Sequence, residues 1–154
     1  MKKTYRAHTD GSCLGNPGVG GFASIIEADG VQHIIKGYSK NPRSTNNGME
    51  LEPVVQTALW IVRNKAKHCV LEVYTDSQYL CSCWNHDAHW LMTSERPNHR
   101  AWALLIDACN KHDIELKFIK VNGHSGVTGN ERADKLAREQ AIKARHIVFG
   151  GLHE

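Results

Sequence analysis

The sequence contains no long hydrophobic segment, no internal repeat and no low-complexity tract. A membrane span needs about 18 consecutive apolar residues, and no run in this chain approaches that length. The basic start at Met1–Arg6 leads into His8, Thr9 and Asp10 rather than into the apolar stretch of a secretion signal. We therefore expect a protein that has no membrane partner.

The chain also has few cysteines and a small net charge. Five cysteines are an odd number without the spacing of a secreted disulfide scaffold, so reduced thiols in the cytoplasm are expected. The formal net charge of +3 allows a polyanionic partner without requiring one. A length of 154 residues with 41% hydrophobic residues suits one core. We expect a cytoplasmic monomer with a single domain over residues 1–154, ending in a tail from about 145 to 154.

Hydrophobic patterns predict five strands. They are expected at Tyr5–Thr9, Gly18–Ala28, Val31–Tyr38, Val70–Thr75 and Ile114–Val121. Asp29-Gly30 separates the second and third strands and is the two-residue signal of a tight hairpin turn.

Apolar residues at helical spacing predict four helices. Three are expected at Asn46–Lys67, at Ser77 to about Trp84 and at Arg100–Lys111, and Asn130 is the expected N-cap of the last one. Pro53 removes a backbone donor about one turn inside the first helix, which either begins near Pro53 or bends. Strands in a meander followed by strands alternating with helices predict an α/β fold. Its five-stranded mixed sheet, a three-strand antiparallel meander plus parallel strands, would be flanked by helices.

Two predicted strands end in the same two residues, Thr9-Asp10 and Thr75-Asp76. If a right-handed crossover makes these strands parallel neighbours, the two carboxylates would lie roughly 5 Å apart on one sheet edge. Glu50 is on the helix face expected to pack toward the sheet.

Asp134 lies in the first turns of the last helix, which can return over the same edge. Four carboxylates without a cysteine or histidine pair favour Mg²⁺ or Mn²⁺ over zinc. Each acid alone also has an ordinary interpretation. Asp10 suits a turn, Asp76 a helix N-cap, and Glu50 and Asp134 suit helix starts where acids balance the dipole.

The segments around these acids resemble, in order, the five motifs of type 1 ribonucleases H. They are Thr9–Gly18, Thr45–Leu51, Tyr74–Tyr79, Val121–Gly126 and Gly129–Asp134, and the resemblance covers the chain from about residue 4 to 142. It implies a ribonuclease H-like fold. It also implies a metal-dependent endonuclease that hydrolyses the RNA strand of RNA–DNA hybrids and leaves 5'-phosphate and 3'-hydroxyl ends.

The resemblance further implies a two-metal-ion mechanism with two Mg²⁺ ions, for which Mn²⁺ is a substitute. Asp10 would bridge both ions, Glu50 and Asp76 would complete the leaving-group side, and Asp134 would hold the ion beside the attacking water. His124 would be a catalytic residue that assists proton transfer or product release. The alternative is that His124 is a loop histidine without a function.

Neutral hydrogen-bonding side chains next to the acids suit an RNA–DNA hybrid, because they can read 2'-hydroxyl groups in a minor groove. In the family, the positions of Asn16, Asn46 and Gln78 do this, and those of Arg43 and Thr45 hold a DNA-strand phosphate. The full set of expected substrate-binding residues is Cys13, Asn16, Arg43, Thr45, Asn46, Asn47, Gln78, Trp84 and Trp90. Asn46-Asn47 also suits a loop or helix cap.

The stretch Cys81–Arg100, called the handle stretch below, departs from the family. Bacterial relatives carry a longer, Lys-rich insertion there, whereas this stretch has two acids, two arginines and no lysine. Its Trp84 and Trp90 either line a DNA-strand channel or pack the stretch itself. Four of its residues superficially suggest zinc, but their spacing does not match the usual fingers: Cys81, Cys83, His86 and His89.

Two other functions compete with hybrid cleavage. A non-catalytic hybrid-binding module would not need all four acids and His124. A transposase or junction-resolving nuclease of the same fold would act on DNA, and the residues expected to read 2'-hydroxyl groups argue against it.

Overall fold

The computed structural model describes residues 2–85, 88–122 and 128–150. Its strands are β1 (Thr4–Leu14), β2 (Val19–Ala28), β3 (Val31–Ser39), β4 (Cys69–Thr75) and β5 (Ile114–Lys120). Its helices are α1 (Asn46–Arg63), α2 (Gln78–Cys83), α3 (Ala88–Leu91), α4 (His99–His112) and α5 (Thr128–Phe149). Within these described ranges, none of the helices is long and apolar enough to cross a membrane.

The five strands form one mixed sheet in the order β3-β2-β1-β4-β5. β2 pairs antiparallel with both β1 and β3, and β4 pairs parallel with both β1 and β5. The connection between β2 and β3 is tight, because Ala28 pairs with Val31 and only Asp29 and Gly30 lie between them. Their φ angles of 53° and 76° are those of the two-residue turn that Asp-Gly favours. The predicted meander and parallel strands are therefore confirmed.

β1 is longer than the sequence predicts. Asp10-Gly11 looks like a turn, yet β1 continues to pair with β2 as far as Leu14, which opposes Val19. Within this ladder Asp10 opposes Ala23. The prediction that this strand ends at Asp10 is wrong, because pairing with β2 overrides the local turn preference.

Helices α1 and α5 cover opposite faces of the sheet. Gly21 of β2 lies against Ala137 and Ala141 of α5, whereas its neighbour Gly20 lies against Met49 of α1. Successive residues of a strand point to opposite faces, so the two helices sandwich β1 and β2. α4 packs on α1 and completes that layer.

Pro53 lies inside α1, so the alternative that this helix begins near Pro53 is wrong. The helix begins at Asn46, where the hydroxyl of the N-cap Thr45 accepts a hydrogen bond from the Gly48 amide at 3.1 Å. The Pro53 carbonyl accepts a bond from the buried Thr57 hydroxyl at 2.6 Å. The core on this side of the sheet is built from α1, α4 and the inner faces of β4 and β5.

α5 begins at Thr128, so the prediction of Asn130 as its N-cap is wrong. The helix continues to Phe149, so residues 145–149, expected in a tail, are helical. Residues 151–154 lie outside the described ranges. The apolar residues at helical spacing that predict this helix lie on one side of it. Leu136 is half-buried, and four small side chains let the helix lie close to the sheet, since all are fully buried: Ala133, Ala137, Ala141 and Ala144. The short α3 has no counterpart among the predicted elements.

Candidate active site

Parallel pairing of β1 and β4 brings Asp10 and Asp76 to one edge of the sheet. The pairing includes His8 opposite Tyr74, and the same register continued places Asp10 beside Asp76. Asp10 is only 7% exposed, whereas Asp76, just beyond β4, is exposed. The N-cap of α2 is Ser77, whose hydroxyl accepts a bond from the Leu80 amide at 3.2 Å. Asp10 is thus not a turn residue and Asp76 is not a helix cap.

Glu50 reaches the same edge because α1 lies very close to β1. A Cβ atom at Gly11 would overlap the backbone of Met49 and Glu50, so the approach requires glycine at this position. The first turn of α1 contains no acidic residue. Glu50 therefore does not balance the helix dipole, and its position results from packing.

The three carboxylates form a compact group. Asp10, Glu50 and Asp76 each offer one oxygen, and these atoms lie within 4.8 Å of one another. Oε2 of Glu50 is buried and has no hydrogen-bond partner in the part of the chain that the structure describes. Such an oxygen is costly unless something binds it, and a divalent cation would do so. The all-oxygen ligand set fits a hard divalent cation.

Burial and mutual repulsion hold protons in this group. Burial is the main cause that raises the pKa of Asp10 to about 7, and the negative charge of Asp76 is the second. Burial, followed by the charges of Asp10 and Asp76, raises the pKa of Glu50 to about 10. The Gly11 amide opposes the shift, since it donates a hydrogen bond to Oδ1 of Asp10 at 2.9 Å. A bound cation would favour the ionised carboxylates.

Asp134 approaches the group from α5. Its side-chain hydrogen bond with Asp10 contributes to the raised pKa of Asp10. Its Oδ2 also lies 3.1 Å from Nη2 of Arg138, one helical turn further along. The acidic residue in the first turn of α5 is Glu131, so the dipole interpretation does not apply to Asp134. His124 lies outside the described residues.

Several predicted substrate-binding residues surround the start of α1. The backbone amide of Asn46 donates a hydrogen bond to Oδ1 of Asn16 at 3.1 Å, which ties the turn after β1 to the helix. Asn46 and Asn47 are the first residues of α1, and Thr45 rather than either asparagine is its cap. The side chains of Arg43, Asn46 and Asn47 are exposed to solvent.

Gln78 and Cys13 also lie near the acids. Gln78 is exposed, two residues beyond Asp76, and its amide donates to the Ser82 hydroxyl at 2.7 Å. Burial, and also the charge of Glu50, raises the pKa of the half-buried Cys13 thiol. Substrate contact by Gln78 and Cys13 stays a prediction.

The two tryptophans of the handle stretch differ in environment. Trp84 is half-buried, stacks on Trp102 at a centroid distance of 6.1 Å and donates to the Leu116 carbonyl at 3.2 Å. For Trp84 the structure favours packing over a substrate channel. Trp90 is 39% exposed, with the Arg96 guanidinium 3.7 Å from its ring centroid. Substrate contact by Trp90 stays a prediction.

The zinc alternative gains no support from the described residues. Cys81 and Cys83 are free thiols, one half-buried and the other buried. Within the described ranges, the group found with metal-binding geometry is the carboxylate cluster. His86 of the suggested zinc set lies outside these ranges.

Asn98 adjoins the candidate substrate site, although it belongs to no motif in the sequence. It precedes α4 in left-handed backbone, with φ of 64°. Its Nδ2 donates to the Tyr79 hydroxyl at 3.2 Å, and its Oδ1 faces Gly48 in the first turn of α1. Asn98 thus connects the handle stretch to the Thr45 cap. This link joins segments far apart in sequence, so no local pattern could indicate it.

Comparisons with known proteins agree with this geometry. The sequence matches the RNase H family over residues 2–142. Ribonuclease H of Xanthomonas campestris pv. campestris (strain 8004) is 38% identical over 159 residues, 97% of each chain. Ribonuclease H of Zymomonas mobilis subsp. mobilis is 40% identical over 142 residues, 87% of this chain and 86% of the relative.

Two solved structures share the fold. LC9-RNase H1, a type 1 RNase H with the type 2 active-site motif, has a TM-score of 0.74 and 26% identity, covering 94% of this chain and 74% of its own. LC11-RNase H1 in complex with an RNA/DNA hybrid has a TM-score of 0.70 and 23% identity. The match covers 91% of this chain and 98% of LC11-RNase H1. The predicted resemblance and fold are confirmed, and this chain belongs to the RNase H family of nucleases.

Proposed function

We propose that this protein is an endoribonuclease that hydrolyses the RNA strand of RNA–DNA hybrids, leaving 5'-phosphate and 3'-hydroxyl ends. The observation that carries the proposal is the carboxylate group of Asp10, Glu50 and Asp76, with its buried, unpartnered Glu50 oxygen. It lies at the same end of the sheet as the asparagines that start α1. The ribonuclease H relatives and the hybrid bound to LC11-RNase H1 support the substrate.

The residues that would hold two Mg²⁺ ions, or Mn²⁺ in their place, are the four acids. Asp10 would be shared, Glu50 and Asp76 would belong to the leaving-group side, and Asp134 to the side of the attacking water. When bound, such ions supply activation of water and stabilisation of the charge that develops in phosphodiester cleavage. The oxygen-only ligand set supports magnesium over zinc.

The protein's own residues would orient the substrate and the acids. Gly11 lets α1 approach β1, which holds a carboxylate oxygen of Glu50 within 4.8 Å of one of Asp10. The Gly11 amide fixes one oxygen of Asp10. His124 is proposed to carry a proton to or from the reacting oxygens, or to assist product release.

Selection for RNA is proposed to rest on hydrogen bonds from Asn16, Asn46 and Gln78 to 2'-hydroxyl groups. Asn47 and Cys13 would contact the same strand. Exposed Arg43 and Thr45 would hold a phosphate of the DNA strand, a contact that orients the hybrid without reading its sequence. Trp90 would contact the substrate beyond these residues.

A cleavage assay with end-labelled substrates tests the proposal. Equal amounts of hybrid, double-stranded RNA and double-stranded DNA are incubated with Mg²⁺ or with EDTA, and Asp10→Asn serves as the inactive control. Internal cuts in the RNA of the hybrid alone, dependent on magnesium, are expected. Hybrid binding without cleavage would indicate a binding module instead, and cleavage of double-stranded DNA would indicate a DNA nuclease.

We also propose a single catalytic domain that acts as a monomer in the cytoplasm. All five cysteines lie in described parts of the chain and are free thiols, which agrees with a reducing compartment.

A further inference from the structure

The start of α5 is attached to β1 and β4 by a side-chain contact outside the carboxylate group. Nδ1 of His8 lies 2.6 Å from Oδ1 of Asn130. Nδ2 of Asn130 donates to the Tyr74 carbonyl at 3.0 Å. Because the amide nitrogen is the donor toward Tyr74, the amide oxygen faces His8 as an acceptor, and Nδ1 of His8 must carry the proton.

Packing supports this hydrogen bond from two sides. The His8 ring stacks on Tyr74, with a centroid distance of 5.0 Å and an interplanar angle of 23°. A Cβ atom at Gly129 would overlap the His8 ring, so the helix backbone rests directly on the histidine. His8 is thus held between β4 and the first turn of α5.

The contact between His8 and Asn130 lies close to the acids along both β1 and α5. His8 precedes Asp10 by two residues, so both side chains lie on the same face of β1. Asn130 precedes Asp134 by four residues, so both lie on the same face of α5. Two strand residues span ~6.6 Å and four helical residues ~6 Å, so fixing Asn130 beside His8 brings Asp134 level with Asp10.

We propose that His8 is a positioning residue which, through Asn130, holds Asp134 against Asp10 and thereby sets the affinity of the carboxylate group for divalent cations. The proposal rests on the function proposed above. His8 itself has no role in the chemistry, and its effect is exerted through the placement of α5.

The test measures Mg²⁺ affinity without substrate, as the magnesium concentration that gives half of the maximal thermal stabilisation. His8→Phe keeps a ring against Tyr74 but removes the donor, and Asn130→Ala removes the acceptor. The control is His33→Ala, which deletes a strand histidine that stacks on Trp60 at 4.7 Å, away from the acids. His8→Asn restores a donor near the position of Nδ1.

Both His8→Phe and Asn130→Ala should raise the half-saturating magnesium concentration by about three- to tenfold, at or below the ~10–100-fold typical for groups that orient metal ligands. The double variant should be no worse than Asn130→Ala alone, because that change already removes the bond to His8 as well as the one to the Tyr74 carbonyl. His8→Asn should recover much of the affinity, and His33→Ala should not change it. On the hybrid, kcat should fall while KM changes little.

A lower melting temperature with an unchanged magnesium midpoint in both variants would mean a merely structural contact and would overturn the proposal. If His8→Phe does not fold, Asn130→Ala alone decides. Failure of the proposed function would instead appear as an unmodified protein that does not cleave hybrids. If magnesium does not stabilise the unmodified protein, the positioning proposal fails, and cleavage of the hybrid still decides the proposed function.

Discussion

Replacing Asp10 by asparagine should stabilise the metal-free protein while abolishing turnover. Asparagine keeps the Oδ1 acceptor for the Gly11 amide and removes the charge that burial and Asp76 disfavour. Since Asp10 is the proposed ligand shared by both cations, its loss should also remove stabilisation by magnesium.

The magnitude follows from the pKa of Asp10, which rises from 3.8 to about 7 on folding. Between these values the unfolded chain has lost the proton that the folded chain retains, so the contribution of Asp10 to the stability of the metal-free protein falls as pH rises and levels off above pH 7. At about 1.4 kcal/mol per pKa unit, the ceiling is about 4 kcal/mol. Relaxation and water entry reduce it, and we expect about 1–3 kcal/mol, or about 2–4 °C in Tm for each kcal/mol.

Urea unfolding of Asp10→Asn and the unmodified protein in EDTA, from pH 4 to pH 8, measures this difference. The control is Asp107→Asn, whose side chain is 61% exposed and pairs with Lys111 at 3.1 Å. Such an exposed pair contributes under about 1 kcal/mol. Equal stabilities at pH 7.5, or an advantage of Asp10→Asn that does not grow between pH 4 and pH 7, would refute the reasoning.

Three further predictions concern Gly11, His124 and the handle stretch. Gly11→Ala should destabilise the protein by about 1–3 kcal/mol in urea unfolding and lower kcat, because its Cβ would push Met49 and Glu50 away from β1. His124→Ala should lower kcat by ~10²–10⁴-fold or less in single-turnover assays, and a loss as deep as that of Asp10→Asn would mean a larger role. A Lys-rich graft in Cys81–Arg100 should lower KM, leave kcat nearly unchanged and steepen the salt dependence of hybrid binding, since added phosphate contacts release counterions. An unchanged salt slope would place the main phosphate contacts elsewhere.

Patterns that repeat within a segment predicted most of the fold. The apolar residues of Val70–Thr75 predicted the strand β4, in which Leu71 and Val73 are fully buried. The Asp29-Gly30 turn was predictable because its backbone angles are a local property of those residues. The buried alanines of α5 were predictable because they recur at helical spacing within one segment.

Features that depend on tertiary contacts could not be predicted in this way. Asp10-Gly11 has the local preference of a turn, and only pairing with β2 keeps it in a strand. Asn130 has the local preference of a helix cap, yet its side chain bonds to His8 and the Tyr74 carbonyl while the helix starts earlier. In both cases contacts with residues distant in sequence outweigh the local conformational preference.

The candidate site also depends on tertiary contacts, because its acids come from separate strands and helices. Asp10 and Asp76 depend on the strand register, and Glu50 depends on a close helix approach that only Gly11 allows. Burial that results from this assembly makes the metal-free group hold protons, as the raised pKa of Asp10 indicates. A cation must therefore displace those protons, and its affinity should rise with pH through about 7. Burial penalises the charges of this group and also leaves an oxygen of Glu50 with no described partner, so the fold favours the binding of a divalent cation at these carboxylates.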